Sequence, residues 1–386
     1  MSRNNISMGL KSLKVKYHNR EVGTLALTGE GKVAFSYCRE WLENGFSISP
    51  FSLPLEDKVY VPNKNYFNGL YGVFADSLPD AWGNLLVDRV LKEHGLNGNV
   101  TVLDRLAMVG KSGMGALQYE PDYRLTDDKQ LDDLDYLSQQ CQKILNTEYS
   151  SDLDILYKMG GSSGGARPKI TINIDGKEWM IKFPAHIDSK DIGLQEYEYS
   201  KCAKKCQINM AETKLFSSSV CSGYFGTERF DLVKLGGEKI GIHVVTVAGL
   251  LEADYMSPCL DYHELMKLTR IITRENKEDI ENMFRRACFN VFAHNRDDHA
   301  KNFSFMYDEE NDLWRLSPAY DLTYSNTYWG EHTTAVDGNG KNPGVQQLLN
   351  VGVKAGLGKK QCLDIIDQIK ANTIELDRYR NNECQI

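Results

Sequence analysis

Residues 294–302 read HNRDDHAKN, and this stretch decides the fold because of the patterns on either side of it. Before it, apolar side chains recur at helical spacing over residues 276–294, which predicts a helix with one buried face. After it, residues 303–316 alternate around an acidic turn at 308–312, which predicts a β-hairpin. Residues 317–322, SPAYDL, follow the hairpin. A helix, a polar loop and a hairpin are therefore expected in this order.

Three polar side chains of this stretch are candidates for a single site. A hairpin brings its two ends together, so Asn302 and Asp321 are expected near one another, with Asp297 five residues before Asn302. Asp and Asn oxygens are hard ligands that suit Mg²⁺, and a further Asp can orient an attacking hydroxyl and accept its proton. The spacing Asp-x-x-x-x-Asn is that of the protein-kinase catalytic loop. The pattern therefore indicates phosphoryl transfer.

A second candidate site lies upstream at residues 157–169, YKMGGSSGGARPK. Its glycines suit a loop whose backbone N–H groups approach phosphates closely. Residues 169–174 alternate as a half-buried strand, Asp175-Gly176 predicts a two-residue turn, and the returning strand carries Lys182 on the face opposite to its apolar neighbours. A glycine loop followed by a strand lysine is typical of sites that bind nucleotide phosphates.

Four further elements are expected from shorter patterns. They are a strand over 22–27, a helix that follows Ser77 with Pro79 near its first turn, a helix from Gln195 to Cys206, and a strand over 224–231.

The composition excludes several classes of protein. With 386 residues, of which 41% are hydrophobic and 25% charged, the chain is neither disordered nor fibrous, and its length predicts two lobes. A formal charge of −8 argues against extensive unaided binding of nucleic acid. The nine cysteines form no CxxC pair, which favours buried, reduced thiols over a zinc or redox site. Without a membrane-spanning apolar run or a secretory signal, a soluble cytoplasmic protein is expected.

In these motifs the chain resembles the HipA-like serine/threonine kinases, which are toxins of bacterial type II toxin–antitoxin systems. The resemblance covers most of the chain in the family's order, and it is carried by residues 161–169, 181–184, 196–197, 228–231, 297–304 and 318–321. Residues 77–80 and 110–116 are similar to the family's N-terminal subdomain. Asn295 stands where eukaryotic kinases have the histidine of H-R-D, a departure that fits the bacterial family.

The resemblance implies a role for each motif. Asp297 would be the catalytic aspartate, Lys301 would reach the γ-phosphate, and Asn302 and Asp321 would hold Mg²⁺. The residues implied to bind ATP are Gly161, Ser162, Ser163, Gly164 and Gly165 of the loop, Lys182 with its partner Glu196, and Glu228 and Phe230 against the adenine. Ser162 matches the loop serine that family members autophosphorylate, and a phosphate there would add negative charge beside the nucleotide.

The family also implies a fold and partners. The expected fold is α/β (α+β), a two-lobed, protein-kinase-like HipA fold with a mixed α/β N-lobe and a mainly helical C-lobe. The expected segments are an N-terminal subdomain at 1–120, a nucleotide-clamping part at 121–245 and a C-lobe at 246–386. The expected partners are a protein substrate of translation such as an aminoacyl-tRNA synthetase, a HipB-like DNA-binding antitoxin, and DNA only through that antitoxin.

Several alternatives stay open at this level. Glu198 opens the same helix as Glu196, Ser163 neighbours Ser162, and Asp298 neighbours Asp297. The acceptor could be a small molecule or a lipid in place of a protein. The chain could also be a non-catalytic co-repressor that acts with a DNA-binding antitoxin.

Overall fold

The structure is a computed structural model that describes residues 8–96, 98–124, 131–257, 260–327 and 330–381. The strands, numbered in chain order, are β1 (Ser12–Tyr17), β2 (Arg20–Leu27), β3 (Val33–Tyr37), β4 (Leu117–Glu120), β5 (Lys169–Ile174), β6 (Lys177–Lys182), β7 (Thr213–Phe216), β8 (Tyr224–Glu228), β9 (Leu232–Leu235), β10 (Glu238–Gly241), β11 (Val244–Thr246), β12 (Leu260–Asp261), β13 (Ser304–Asp308), β14 (Leu313–Leu316) and β15 (Thr334–Ala335).

The helices are α1 (Arg39–Asn44), α2 (Gly72–Ala75), α3 (Ala81–Glu93), α4 (Val102–Val109), α5 (Leu134–Leu145), α6 (Leu153–Gly160), α7 (Ile192–Lys205), α8 (Val247–Leu251), α9 (Tyr262–Ile272), α10 (Lys277–Phe292), α11 (Val345–Lys354), α12 (Lys359–Thr373) and α13 (Asp377–Asn381). Short 3-10 helices cover Ala300–Asn302 and Ile374–Leu376.

The chain divides into two compact units. Unit 1 comprises residues 1–190, 217–245 and 249–252, and unit 2 comprises residues 191–216, 246–248 and 253–386. Unit 1 contains most of the strands, and unit 2 is mainly helical. The mixed α/β class expected from the sequence is therefore confirmed. The three-segment division expected from the sequence stays a prediction.

The N-terminal part of unit 1 is built on an antiparallel sheet with the strand order β3-β2-β1-β4. Leu13, Val15 and Tyr17 alternate along β1 and are almost fully buried, because successive side chains of a strand point to opposite faces. The ring of Tyr17 meets Trp41 and Phe46 edge-on, with centroids 5.5 and 5.3 Å away. These three rings form a buried aromatic cluster beside β1.

Helix α3 follows Ser77, as the sequence pattern predicted, and starts at Ala81. Pro79, predicted near the first turn, lies two residues before this start, and Asp80 between them is extended. Asp80 does not cap its own helix, because its carboxylate accepts the backbone N–H of Gly165 at 2.9 Å. The residue that precedes the helix is thus bound to the glycine loop.

The hairpin of β5 and β6 matches the sequence prediction. Asp175 and Gly176 have φ angles of 53° and 79°, the left-handed pair that a tight two-residue turn requires. Ile181 and Phe183 are almost fully buried, whereas Lys182 lies on the opposite, half-exposed face. Strand β8 pairs with β6 and ends at Glu228, three residues before the expected end.

Unit 2 is organised around α10, which packs against α9, α11 and α12. Its predicted apolar stripe is buried from Ile280 to Val291, and only Phe292 is half-exposed. The side chain of Asn276 accepts the N–H of Asp279 at 3.0 Å and so begins the helix. The expected hairpin follows as β13 and β14, with Phe305 paired to Leu316.

The sequence also predicted buried, reduced cysteines and no membrane-spanning segment. Cys141, Cys202, Cys206, Cys288 and Cys362 are buried free thiols, while Cys38 and Cys221 are half-exposed. Cys259 and Cys384 lie outside the described residues. Across the described parts of the chain, every helix is too short or too polar to cross a membrane.

Candidate functional site

The glycine loop of unit 1 starts where α6 ends and runs to β5. The N–H of Gly161 still bonds the carbonyl of Tyr157 at 2.7 Å, and the Ser163 hydroxyl turns back to donate to Gly160 O at 2.6 Å. At the far end of the loop, the buried ammonium group of Lys169 donates to the carbonyl of Gly164. The loop is therefore held by its own flanking residues.

The start of α3 holds the same loop from outside. The Trp82 N–H donates to the carbonyl of Gly165 at 3.2 Å, and its indole N–H donates to the carbonyl of Lys169 at 3.1 Å. The Asp80 N–H bonds Ser163 O at 3.3 Å, while the Asp80 carboxylate accepts from Gly165. Four hydrogen bonds thus fix both sides of the loop backbone.

Gly83 allows this close approach. A Cβ at this position would lie 2.9 Å from the carbonyl oxygen of Gly161 and 3.0 Å from that of Ser163. Both neighbours are backbone atoms and cannot turn aside. Glycine at residue 83 is therefore needed to seat the loop on α3.

The two loop serines have different surroundings. Ser162 is half-exposed, and its hydroxyl donates to the carbonyl of Ser112 at 2.9 Å. Ser163 is 4% exposed and bonded within the loop. Ser162 is thus the more exposed of the two serines.

Lys182 lies at the end of β6, directly opposite Lys169 of β5. Its ammonium group is 5.6 Å from the ring centroid of Phe225, a cation–π distance. Two lysines therefore stand side by side at the end of the strand pair that follows the glycine loop. Lys182 is the half-exposed one and Lys169 the buried one.

The segment expected at the adenine lies at the end of β8. Glu228 forms an ion pair with Lys177 at 2.7 Å. Arg229 binds the buried carboxylate of Asp231 through two nitrogens, at 3.0 and 2.6 Å. Phe230, between these two, is half-exposed.

Arg167 of the glycine loop is bound to a carboxylate. Its Nε and one terminal nitrogen donate to the two carboxylate oxygens of Asp188, each at 2.9 Å. A paired guanidinium of this kind holds the loop end against the segment after β6.

Helix α7 of unit 2 carries the two candidate glutamates. Glu196 is 3% exposed. Glu198, two residues further along the helix, accepts hydrogen bonds from the guanidinium of Arg378 and from the hydroxyl of Tyr379. Glu198 therefore binds the C-terminal helix α13, whereas Glu196 is buried.

The catalytic-loop candidates follow α10 in unit 2. The side chain of Asp297 is 57% exposed, and Nε2 of His299 lies 3.8 Å from its Oδ1. The amide nitrogen of Asn302 donates to the backbone carbonyl of Asp297 at 2.6 Å, which closes the loop between these two residues. The ammonium group of Lys301 lies 4.4 Å from the ring centroid of Tyr255. The centroid of the same ring lies 5.8 Å from that of the His299 imidazole.

The hairpin brings its two ends together as expected. The hydroxyl of Tyr320 donates to the carbonyl of Lys301 at 2.8 Å, and the hydroxyls of Ser304 and Ser317 are 2.8 Å apart. Asp321 follows with a φ angle of 53°, a left-handed conformation that is uncommon for a residue with a side chain. Such backbone geometry is found often at functional sites.

His294, at the start of this stretch, is held neutral by its surroundings. Burial lowers the pKa of its imidazole to about 4, and the nearby Arg380 and Arg296 act in the same direction. It therefore adds no positive charge at neutral pH beside the acidic loop.

The donor set suits a magnesium ion that is completed by phosphates. Because Nδ2 of Asn302 bonds the Asp297 carbonyl, its Oδ1 is the amide atom available to a cation. Among the described residues no cluster of three or more His, Cys, Asp or Glu forms a metal site. Mg²⁺ is commonly bound through one or two protein oxygens together with substrate phosphates, so the pair Asn302 and Asp321 fits this ion.

Several contacts of the site were not recognised in the sequence. The residues concerned are Asp80, Trp82, Ser112 and Lys169 around the loop, and the buried Asp298 beside Asp297. Asp80 and Trp82 lie in or beside the segment 77–80, which is part of the family resemblance but received no role from it. Long-range contacts of this kind leave no periodic signal in a sequence.

Comparisons with known proteins agree over both parts of the chain. The family model of the HipA-like C-terminal domain matches residues 161–375, and that of the HipA N-terminal domain matches residues 13–120. The structure is similar to HipA of Shewanella oneidensis MR-1, solved with HipB and operator DNA, with a TM-score of 0.69 and 19% identity over 94% of this chain and 91% of that chain. This similarity concerns the fold.

A second solved structure is more distant. The proinflammatory kinase CtkA of Helicobacter pylori aligns with a TM-score of 0.35 and 12% identity, over 56% of this chain and 95% of that chain. A similarity of this size supports no conclusion about function. No curated protein matches the chain.

Proposed function

The chain belongs to the HipA-like family, and on that premise we propose that it is an ATP- and Mg²⁺-dependent serine/threonine protein kinase. One observation carries the proposal. Asp297 presents an exposed carboxylate on a loop that Asn302 closes, and the same hairpin that follows this loop leads to Asp321. This is the order and spacing of the catalytic loop and metal-binding aspartate in protein kinases.

Asp297 would act on the acceptor. Its carboxylate would accept a hydrogen bond from the serine or threonine hydroxyl and take the proton as that oxygen attacks the γ-phosphorus. The new phosphorus–oxygen bond would form as the bond to the β,γ-bridging oxygen breaks, with ADP as the leaving group. Asn302 and Asp321 would hold Mg²⁺, which neutralises charge on the phosphates when bound.

The residues of unit 1 would bind the nucleotide. The backbone N–H groups of the glycine loop, Gly161 to Gly165, would approach the phosphates, and Lys182 would pair with their charge. Glu228 and Phe230 would lie against the adenine. In unit 2, Glu196 would be the carboxylate that orients Lys182, and Lys301 would reach the γ-phosphate.

We also propose that Ser162 is the autophosphorylation site. A phosphate on its oxygen would remove the donor of the bond to Ser112 O and would add about −1.5 to −2 charge beside the nucleotide phosphates. Both effects would disfavour the seated loop. Ser163 is the less suitable acceptor because it is almost fully buried.

The biological setting follows from the family. The chain would be the toxin of a toxin–antitoxin pair in the cytoplasm, acting on a protein of translation such as an aminoacyl-tRNA synthetase. The HipA of Shewanella oneidensis that shares the fold was solved with HipB and operator DNA, which supports a HipB-like antitoxin as the partner here. With a charge of −8, this chain would reach DNA only through such a partner.

Two other functions remain candidates. A small-molecule or lipid kinase would use the same phosphate-binding groups with another acceptor. A non-catalytic co-repressor would need none of them, so the retention of Asp297, Asn302, Asp321 and Lys182 disfavours it.

Phosphosite mapping after incubation with Mg·ATP and a cell lysate tests the proposal. We expect new phosphoserine or phosphothreonine on a protein of translation, and a phosphate on Ser162. Label on a metabolite or lipid alone would favour the first alternative. Failure to bind Mg·ATP at all would favour the co-repressor.

A further inference from the structure

Two neighbouring aspartates of the catalytic loop have opposite surroundings. Asp297 is 57% exposed, whereas the side chain of Asp298 is completely buried. A buried carboxylate is costly unless it is fully hydrogen-bonded, so its partners indicate what it does.

The carboxylate and the backbone carbonyl of Asp298 are both bound by other segments of unit 2. Its carboxylate accepts the hydroxyl of Tyr262 at 2.9 Å, Nδ1 of His332 at 2.9 Å and the N–H of Thr334 at 3.1 Å. Its backbone carbonyl accepts the hydroxyl of Thr334. Residue 298 is therefore fixed by α9 on one side and by the segment that leads into β15 on the other.

The first of these partners is itself rigidly placed. Tyr262 opens α9 behind a capping box, in which Asp261 accepts the N–H of His263 at 2.8 Å and Glu264 accepts the N–H of Asp261 at 2.9 Å. Burial and the Asp298 carboxylate raise the pKa of Tyr262 well above its usual value. The phenol thus keeps the proton that it donates.

The hydrogen bonds continue from Tyr262 toward Asp321. The amide of Asn290 donates to the Tyr262 hydroxyl at 2.8 Å, and the amide of Asn295 donates to Asn290 Oδ1 at 3.0 Å. The same nitrogen of Asn295 lies 3.5 Å from the backbone carbonyl of Asp321. The side chains of Tyr262, Asn290 and Asn295, which form this series of hydrogen bonds, are each at most 5% exposed.

We infer that Asp298 is a positioning residue, which anchors the catalytic loop so that the preceding Asp297 faces the acceptor. The inference rests on the proposed function. The anchor consists of Asp298, Tyr262, His332 and Thr334, and the bonds through Asn290 and Asn295 extend it to the backbone of Asp321. The groups that accept the proton and hold the metal would thus be placed by one buried network.

Thr334→Val provides the test, because it removes the hydroxyl that donates to Asp298 and keeps the shape of the side chain. Thr269→Val is a matched control: Thr269 is equally buried in unit 2, and its hydroxyl donates to Leu265 O at 2.8 Å outside the network. Thr334→Ser restores the hydroxyl. Asp298→Asn gives a second, more severe change.

Steady-state transfer of phosphate from ATP is measured for each variant. We expect kcat of Thr334→Val and Asp298→Asn to fall about tenfold or more, with KM for ATP within about twofold of wild type. Thr269→Val and Thr334→Ser should retain kcat within about twofold. Equal kcat for Thr334→Val and Thr269→Val would overturn the inference, as would a loss confined to KM.

Amide hydrogen exchange separates this inference from the proposed function. The amides of residues 296–302 should exchange faster in Thr334→Val than in wild type or in Thr269→Val. Unchanged exchange overturns the anchoring of the loop whether or not the protein is active. A wild-type chain that transfers no phosphate refutes the proposed function, and the exchange rates then still decide whether Asp298 anchors the loop.

Discussion

At the scale of single residues, exposure separates side chains that the sequence leaves equivalent. Asp297 and Asp298 are adjacent and chemically identical, yet one is exposed and the other is enclosed by Tyr262, His332 and Thr334. Glu196 and Glu198 also differ, because Glu196 is buried whereas Glu198 accepts hydrogen bonds from Arg378 and Tyr379. Spacing alone cannot make these distinctions, since the deciding partners come from distant parts of the chain.

Lys301 illustrates a residue whose placement depends on one neighbour. Its ammonium group lies over the ring of Tyr255 at 4.4 Å, and such a contact is worth about 0.5–1 kcal/mol at exposed sites. If this contact holds Lys301 for the γ-phosphate, Tyr255→Leu should lower kcat about two- to fivefold, while Tyr255→Phe should retain it. Steady-state kinetics measures both.

A comparable pair elsewhere gives the control. Lys64 lies 5.0 Å from the ring centroid of Tyr66 in unit 1, so Tyr66→Leu removes a similar contact away from the catalytic loop. Its kcat should equal that of wild type. Full activity of Tyr255→Leu would show that the ring does not position Lys301.

At the scale of secondary structure, the sequence pattern predicted an element correctly where neighbouring residues alone determine it. The Asp175-Gly176 turn, the helix of α10 and the hairpin of β13 and β14 all follow from spacing and turn residues. Strand β8 ends at Glu228, three residues earlier than predicted, and the residues after it bind distant Gly113 and Gly115. Where contacts with distant parts of the chain fix the end of an element, the local sequence pattern does not predict that end.

The β5–β6 turn offers a direct test of this local control. Gly176 has a φ angle of 79°, and a Cβ there would meet only the distant Nζ of Lys234 at 3.7 Å. Gly176→Ala should therefore lower the free energy of unfolding by about 1 kcal/mol through backbone strain alone. Urea denaturation followed by circular dichroism measures this change.

Gly29→Ala is the matched control for that measurement. Gly29 also lies in a turn of unit 1, but its φ angle is not positive and a Cβ would meet no atom within 4 Å. Its unfolding free energy should stay within about 0.5 kcal/mol of wild type. An equal loss in the two variants would mean that the turn conformation is not the cause.

At the scale of the whole molecule, the family and the fold rest on independent findings. Two family models together match most of the chain, and the fold is shared with the HipA of Shewanella oneidensis at only 19% identity. The sequence motifs pointed to the same family because its chemistry is concentrated in a few short segments. The physiological acceptor has no such segment, since a protein substrate is recognised by surface shape and charge.

The most direct measurement of the central claim is transfer of the γ-phosphate of ATP to protein in the presence of Mg²⁺, compared for wild type and Asp297→Asn. Because the side chain of Asp297 is exposed, Asp297→Asn should unfold at the same urea concentration as wild type. The account predicts labelled protein with wild type, including a phosphate on Ser162, and a rate at least about 100-fold lower with Asp297→Asn. Equal labelling by the two proteins, or no labelling by a folded wild-type chain that binds Mg·ATP, would contradict it.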